Sequence, residues 1–346
     1  MTMTEAKLYL GVDLGGTFVK IGIIDDAGHI CRKYKFPVDQ DGYRTPILET
    51  AVLSAGAVLR SSDFLSFLSE RKLAGIGVSA TGQIDPHTGT VVGAAGHIPN
   101  YLGSHIAEDF HRAFGLNVAV ANDADCSLLG ECAYGAAKGD LNVVMMTLGT
   151  GVGGGILVDG KLMSGSRGAA GEIGHIIIND DGEECSCGNR GCLEHYASVK
   201  ALVNKVRNAV SEGRISPAYL GGDADASSDD LSFINGKTIF SALSEKTDHN
   251  CSDHNVLFSI VDCWENYIAD GLVSLVHIFN PDSIVIGGGV SEAGELLVSP
   301  IRNKVLRRAM PSFAAGLIIK AAELGNDSGM IGAVENFKHR YSQQRA

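Results

Sequence analysis

The chain has 346 residues, 45% hydrophobic, 20% charged and 6% aromatic, the make-up of a globular protein with room for two α/β domains. Its net charge of −12 excludes a nucleic-acid backbone as partner, which wants a basic face. The opening "MTMTEAKLYLGVDLGG" lacks a signal-peptide pattern, and the apolar run "ENYIADGLVSLVHIFNP" carries Glu265, Asp270 and His277, so a buried helix is expected there and no membrane partner. A cytoplasmic chain follows, with its eight cysteines kept reduced.

The first elements read as three short strands, "LYLGVDLGG", "FVKIGIID" and "AGHICRKYKF", apolar runs bounded by turn residues. A helical stretch "PILETAVLSAGAVLRSSDFLSFLSERK" comes next, then a strand "LAGIGVS", a loop "ATGQIDPHTGT" and a strand "TVVGAAG". A helix near "GSHIAEDFHRAFG" leads to a strand "NVAVAND", and the alternation predicts α/β layers. From Leu141 the chain repeats its opening in "NVVMMTLGTGVGGGILVDGKL". Leu14 matches Leu148, Gly15 matches Gly149, Gly16 matches Thr150, Ile24 matches Val158 and Asp25 matches Asp159, all at one offset. That is the mark of a duplicated unit. Residues 211–236 are polar and acidic and read as a surface insertion. A strand "DSIVIGGG" and a closing helix "GMIGAVENFKHRYS" complete the chain. The expected domains are 1–124 and 125–327, with the helix at about 328–346 returning to the first.

Three glycine loops can hold phosphate or nucleotide: "DLGGTFVK", "GTGVGGG" and "GGGV". Glycine lets a backbone approach an anion, and successive N–H groups make a nest for it. The candidates are Gly15, Gly16, Thr17 and Lys20 in the first, with Asp13 to orient Mg²⁺ through water. In the second they are Gly149, Thr150, Gly151, Gly153 and Gly154, and in the third Gly287, Gly288 and Gly289. Tight hairpins without a ligand are the bland alternative, and none of the loops matches a P-loop.

Residues 175–194 hold three cysteines in "CSCGNRGC", with a histidine upstream. His175, Cys185, Cys187 and Cys192 make a closed tetrahedral set suited to structural Zn²⁺, with no open position for catalysis. A loop pinned through His175 also fixes two carboxylates, Glu172 and Glu194, able to accept hydrogen bonds from sugar hydroxyls. In "AVANDAD", Asn122 and Asp123 end an apolar strand, where α/β folds place ligands. Asn122 offers a donor and an acceptor, and Asp123 a base. The rival reading is a helix cap. "DHNCSDH" at 248–254 mixes metal-ligand types but sits in a polar linker and is set aside.

These motifs, "DLGGTFVK", "ANDAD", "TLGTGVGGG", "GAAGEIGH", "CSCGNRGCLEHYAS" and "NPDSIVIGGGV", resemble those of the ROK family of sugar kinases, in the family's order from about Leu8 to Gly332. The resemblance implies a two-domain actin-like ATPase (ribonuclease H-like) fold with a cleft between the domains and a structural zinc loop. It implies an ATP- and Mg²⁺-dependent hexose kinase, glucokinase-like and acting at O6, with Asp123 as general base. Gly82, Gln83, Asn122, Glu172, His175 and Glu194 then hold the sugar, and the glycine loops hold ATP. His175 would serve zinc with one ring nitrogen and sugar with the other. The resemblance also implies a homodimer. Asp125 stands where the family often has Asn, the Pro-Gly and Trp of many glucokinases are absent, and the insertion is longer than usual. Kinases of N-acetylmannosamine, N-acetylglucosamine, mannose, allose or fructose are therefore rivals, as is a non-catalytic sugar sensor. Family repressors carry a winged helix before this fold, and "DLGGT" beginning at Asp13 leaves no room for one.

Overall fold

The computed structural model describes residues 7–38, 42–68, 71–93, 98–223, 230–245 and 251–342. By its contacts the chain forms two units: Met1–Gly139 with Lys161–Gly171 and Asn326–Ala346, and Asp140–Gly160 with Glu172–Gly325.

The first unit opens with β1 (Leu8–Leu14), β2 (Phe18–Asp25) and β3 (Ile30–Pro37), followed by α1 (Ile47–Arg60) and α2 (Ser62–Leu68). Then come β4 (Leu73–Ala80), the short pair β5 (Gln83–Ile84) and β6 (Val91–Gly93), α3 (Ile106–Phe114), β7 (Val118–Asn122) and α4 (Asp123–Tyr134). Its sheet runs β3-β2-β1-β4-β7. The β1–β2 pairing is antiparallel, and β1–β4 and β4–β7 are parallel. Strand β1 is buried almost throughout, as a central strand covered on both faces must be. One domain boundary expected from the sequence, at 124, falls inside α4, a helix whose contacts keep it whole and in the first unit.

The second unit contains β8 (Val143–Leu148) and β9 (Val152–Val158). After the two-residue β10 (Lys161–Leu162), which belongs to the first unit, and the metal loop come α5 (Glu194–Ala197), α6 (Val199–Ser211), α7 (Gly236–Glu245) and α8 (Ser252–Phe279). The unit continues with β11 (Ser283–Gly287), α9 (Glu295–Arg308), α10 (Pro311–Ala314) and β12 (Ile318–Ala321). Here β9, β8, β11 and β12 lie side by side in that order. The β8–β9 pairing is antiparallel, and β8–β11 and β11–β12 are parallel. Each unit thus repeats one plan, an antiparallel hairpin beside two parallel strands.

The repeat contains a slip that the sequence match hides. Leu14 pairs with Val19, but Leu148 pairs with Val152, so the second hairpin turn is one residue shorter. The common offset holds for β1 and β8 and shifts by one along β2 and β9. Tyr9 faces Ile24 while Val143 faces Leu157, which makes Leu157, not Val158, the counterpart of Ile24. Burial agrees: Ile24 and Leu157 are buried, whereas Val158 is 38% exposed. A one-residue shift in a strand moves every side chain to the other face.

The last helix, α11 (Ser328–Ser342), packs on α4, β4 and β1 of the first unit. Glycines make the close approach possible. A Cβ on Gly11 would lie 2.7 Å from the Met330 carbonyl oxygen, and one on Gly77 would overlap the Ala333 carbonyl. On the helix side, a Cβ on Gly332 would overlap the Cys126 carbonyl of α4. Removing these side chains lets helix and sheet backbones touch.

Of the 211–236 segment, residues 224–229 lie outside the described residues, and the rest is less of a surface loop than its composition implies. Ile215, Tyr219, Leu220, Leu231 and Ile234 are all buried, so its few apolar residues are its anchors. Among the described residues no single helix is long and apolar enough to cross a membrane. The bent pair α1–α2 meets the length and composition only jointly, and α1 buries Ile47, Ala51, Ala55 and Val58 in the core.

Candidate active site

In the first unit, the C-terminal ends of β1, β4 and β7 carry the candidate residues. The hairpin register sets Asp13 opposite Lys20, and their side chains pair at 2.9 Å. Ser79 donates to the other Asp13 oxygen at 2.9 Å, and Lys20 also donates to the Asn326 carbonyl at 3.2 Å. Lys20 thus neutralises Asp13 within the hairpin. Ser79 was not singled out from the sequence, because only the β1–β4 pairing brings it beside Asp13.

Asn122 is the N-cap of α4. Its Oδ1 accepts from the Ala124 amide at 2.8 Å and the Asp125 amide at 3.4 Å. Its Nδ2 donates to the Gly82 carbonyl at 2.9 Å, which ties the strand end to the β4–β5 turn. Capping therefore uses the amide oxygen, and what Asn122 retains for a ligand is an N–H. Gln83 begins β5, with its side-chain oxygen lying over Gly93.

Asp123 starts α4 with an exposed side chain whose Oδ1 accepts from the Ala124 amide at 2.9 Å. The protein around it, first, and the negative charge of Asp13, second, push its carboxyl up to about 6. Both causes disfavour the ionised form. Its side chain is exposed, and with a value of about 6 it is ionised at neutral pH and more basic than a free carboxylate.

In the second unit the four metal-type ligands converge. One ligand atom from each of His175, Cys185, Cys187 and Cys192 lies within 4.8 Å of all the others. His175 Nδ1 is 3.6 Å from the Cys185 sulfur, and the Cys187 and Cys192 sulfurs are 3.5 Å apart. The loop closes through Cys185 N–H to Asn189 O at 2.8 Å and Gly188 N–H to Cys185 O at 2.9 Å. Gly188 and Gly191 supply the positive φ angles, +93° and +69°. Four soft or borderline donors in a closed tetrad fit Zn²⁺. The opposite ring nitrogen, His175 Nε2, faces Glu172 Oε2 at 4.0 Å. The imidazole is thus divided between the metal side and the carboxylate side.

Glu194 opens α5 and its Oε2 accepts the Val152 amide at 3.0 Å. A Cβ on Gly151 would overlap that same oxygen, so Gly151 is needed to seat Glu194. Gly153 and Gly154 sit within β9 opposite Thr147 and Met146. Gly287 ends β11, and Gly288 has φ +88° and packs on the Leu148 backbone.

Gly149 and Gly289 differ from these. Neither has a positive φ, and a Cβ on either would meet nothing within 4 Å. With Thr150 they line a cavity of about 800 Å³. Neither backbone nor packing requires glycine there, and a bare backbone in that place could admit the close approach of a ligand. The other walls come from two helices. Val199, Lys200, Val203, Asn204 and Arg207 form one face of α6; Gly236, Lys237, Phe240, Ser241 and Ser244 form the corresponding face of α7. Size, apolar walls and a few polar groups suit a nucleotide. Of "DHNCSDH", residues 251–254 are described: His254 is buried with Nδ1 3.0 Å from the Tyr219 hydroxyl, and Asp253 accepts the Ser216 amide.

A model of the ROK family matches residues 9–340. A glucokinase of Halalkalibacterium halodurans is 36% identical, over 94% of this chain and 93% of that protein. A glucokinase of Thermotoga maritima is 32% identical, over 98% and 99%. A crystal structure of a ROK family glucokinase from Streptomyces griseus in complex with glucose and AMPPNP is 31% identical, with a TM-score of 0.75 over 94% of this chain and 97% of that one. Its fold is the α/β plan described above. With the match spanning nearly every residue from β1 to α11, the chain belongs to the ROK family.

Proposed function

We propose that this protein is an ATP-dependent sugar kinase that phosphorylates a hexose at O6. The observation that carries the base assignment is Asp123, an exposed carboxylate at a strand end whose basicity is raised to about 6. Its relatives named as glucokinases support glucose as the first substrate to try.

In this reading Asp123 takes the proton of the sugar hydroxyl as that oxygen forms its bond to the γ-phosphorus. The bond from that phosphorus to the β-phosphate oxygen breaks, and ADP leaves. Gly149, Thr150 and Gly289 hold the nucleotide, and Gly15, Gly16 and Thr17 offer backbone to the transferred phosphate. Mg²⁺ would neutralise phosphate charge when bound, and Asp13, held by Lys20 and Ser79, is the carboxylate that would orient it. Glu172, His175 Nε2, Glu194, Gly82, Gln83 and the remaining Asn122 N–H recognise the sugar hydroxyls. His175, Cys185, Cys187 and Cys192 would hold Zn²⁺, which would fix that loop. The reduced thiols this requires suit the cytoplasm. The family resemblance implies a homodimer, which light scattering measures.

ADP release from Mg·ATP, run across hexoses and N-acetylhexosamines, tests the reading beside Asp123→Ala. Turnover with one sugar, lost in the variant while that sugar still binds, supports it. Turnover with an N-acetylhexosamine alone moves the substrate to that class. Heat stabilisation by a sugar without any turnover makes the protein a sensor and not a kinase.

A further inference from the structure

The α6 and α7 faces that wall the 800 Å³ cavity are joined by the end of the 211–236 segment, which itself contributes Ser232, Ile234 and Asn235 to the lining. Arg207 of α6 holds the described part of that segment. Arg207 Nε donates to the Leu231 carbonyl at 3.1 Å, and Nη2 donates to the Ile234 carbonyl at 3.2 Å. The two carbonyls bracket a tight turn in which the Ile234 amide donates back to Leu231 O at 3.1 Å. Leu231 and Ile234 are buried beneath it. The turn feeds straight into α7, where Asn235 receives the Thr238 amide on Oδ1 at 3.1 Å and gives its own amide to Thr238 Oγ1 at 3.0 Å. A guanidinium is suited to this because its donors are fixed in a plane and can reach two carbonyls together. A lysine ammonium has the charge without the fork.

We infer that Arg207 is a positioning residue for the nucleotide, acting by clamping the 231–235 turn so that the α7 wall of the cavity is preformed. The inference rests on reading that cavity as the nucleotide site. A preformed wall spares the ligand the ordering of the turn on binding. Losing the clamp therefore weakens nucleotide affinity and leaves the chemical step and the sugar alone.

The test uses the full-length protein and four variants: Arg207→Lys, Arg207→Ala, Asp123→Ala, and Arg214→Gln as a control from the same segment, where Arg214 pairs with Glu212 at the surface. Titration with Mg·ADP is the first readout. Both Arg207 variants are expected to bind it roughly tenfold more weakly, with KM for Mg·ATP raised in step, kcat within about twofold and sugar KM unchanged. Hydrogen exchange without any nucleotide is the second. Amides of residues 231–236 are expected to exchange faster in both Arg207 variants and to stay protected in Arg214→Gln. Retained affinity in Arg207→Lys with loss in Arg207→Ala overturns the inference in favour of direct charge contact with the phosphates. Unchanged exchange at 231–236 in both overturns the clamp. A wild-type protein that shows no Mg·ADP binding overturns the reading of the cavity itself, and the exchange measurement then stands as an independent test of the clamp.

Discussion

Asp123, the proposed base, has two neighbours that set its position and its basicity. Asn122 caps α4 and fixes the first turn, so the aspartate backbone cannot drift. The surrounding protein first, and the negative charge of Asp13 second, raise Asp123 to about 6. The sign for catalysis follows: the base works ionised, so the rate falls as pH drops through the raised value and is level above it. We expect kcat/KM to show an acid limb near pH 6. Asp13→Asn removes the like charge and frees Lys20, and both changes favour ionised Asp123, so the limb moves to lower pH. A pH–rate profile of the two proteins checks this, and a limb that stays put removes Asp13 from the tuning. For stability the sign is reversed from that of an ordinary paired carboxylate. Protonation is favoured in the folded state, so Asp123 costs stability as pH rises from its unfolded value towards 6. The sequence identifies Asp123 and Asn122 because both fall at an apolar strand end. It offers the helix cap only as a rival reading, whereas Asn122 both caps α4 and keeps an N–H, and it does not identify the Asp13–Lys20–Ser79 set, which depends on register between strands far apart in the chain.

At the scale of the element, glycines that look alike in the sequence do different work. Gly332 and Gly77 exist for packing, and any Cβ there meets backbone. Gly332→Ala is expected to cost about 1–3 kcal/mol through overpacking, seen as a lower urea midpoint. Gly149→Ala and Gly289→Ala meet no atom, so they should leave the urea midpoint nearly unchanged and raise KM for Mg·ATP instead. A matched loss of stability in those two would remove the argument that a ligand needs them bare. The sequence marked all three glycine loops as candidates of one kind. It did not separate Gly151, which makes room for Glu194, or Gly288, which needs its positive φ, because the atoms that crowd them come from elsewhere in the fold. The metal loop was legible for the opposite reason: all four of its ligands fall within residues 175–192, so spacing alone brings them near one another.

Across the whole molecule, the duplicated plan is visible in the sequence while the one-residue slip in its second hairpin is not, since a short match cannot tell a turn of four residues from one of three. The two units also differ in how they are held. The first is completed by α11 from the far end of the chain, lying on a glycine floor. The second contains the metal loop, whose ligands all belong to it. A metal that binds only the folded loop adds to the stability of whatever unfolds with that loop, by mass action. Removing it should therefore act on the second unit. The protein is expected to release one Zn²⁺ per chain to a colorimetric chelator, and Cys187→Ser to lower that amount. In hydrogen exchange, the metal-stripped protein should lose protection first at residues 175–197 and next in β8 and β9, to which Glu194 is bonded through Val152. Protection in β1, β2 and α11 should be retained longest. Equal loss in both units would mean that the chain opens as a single cooperative body, and would move the role of the zinc from one loop to the whole fold.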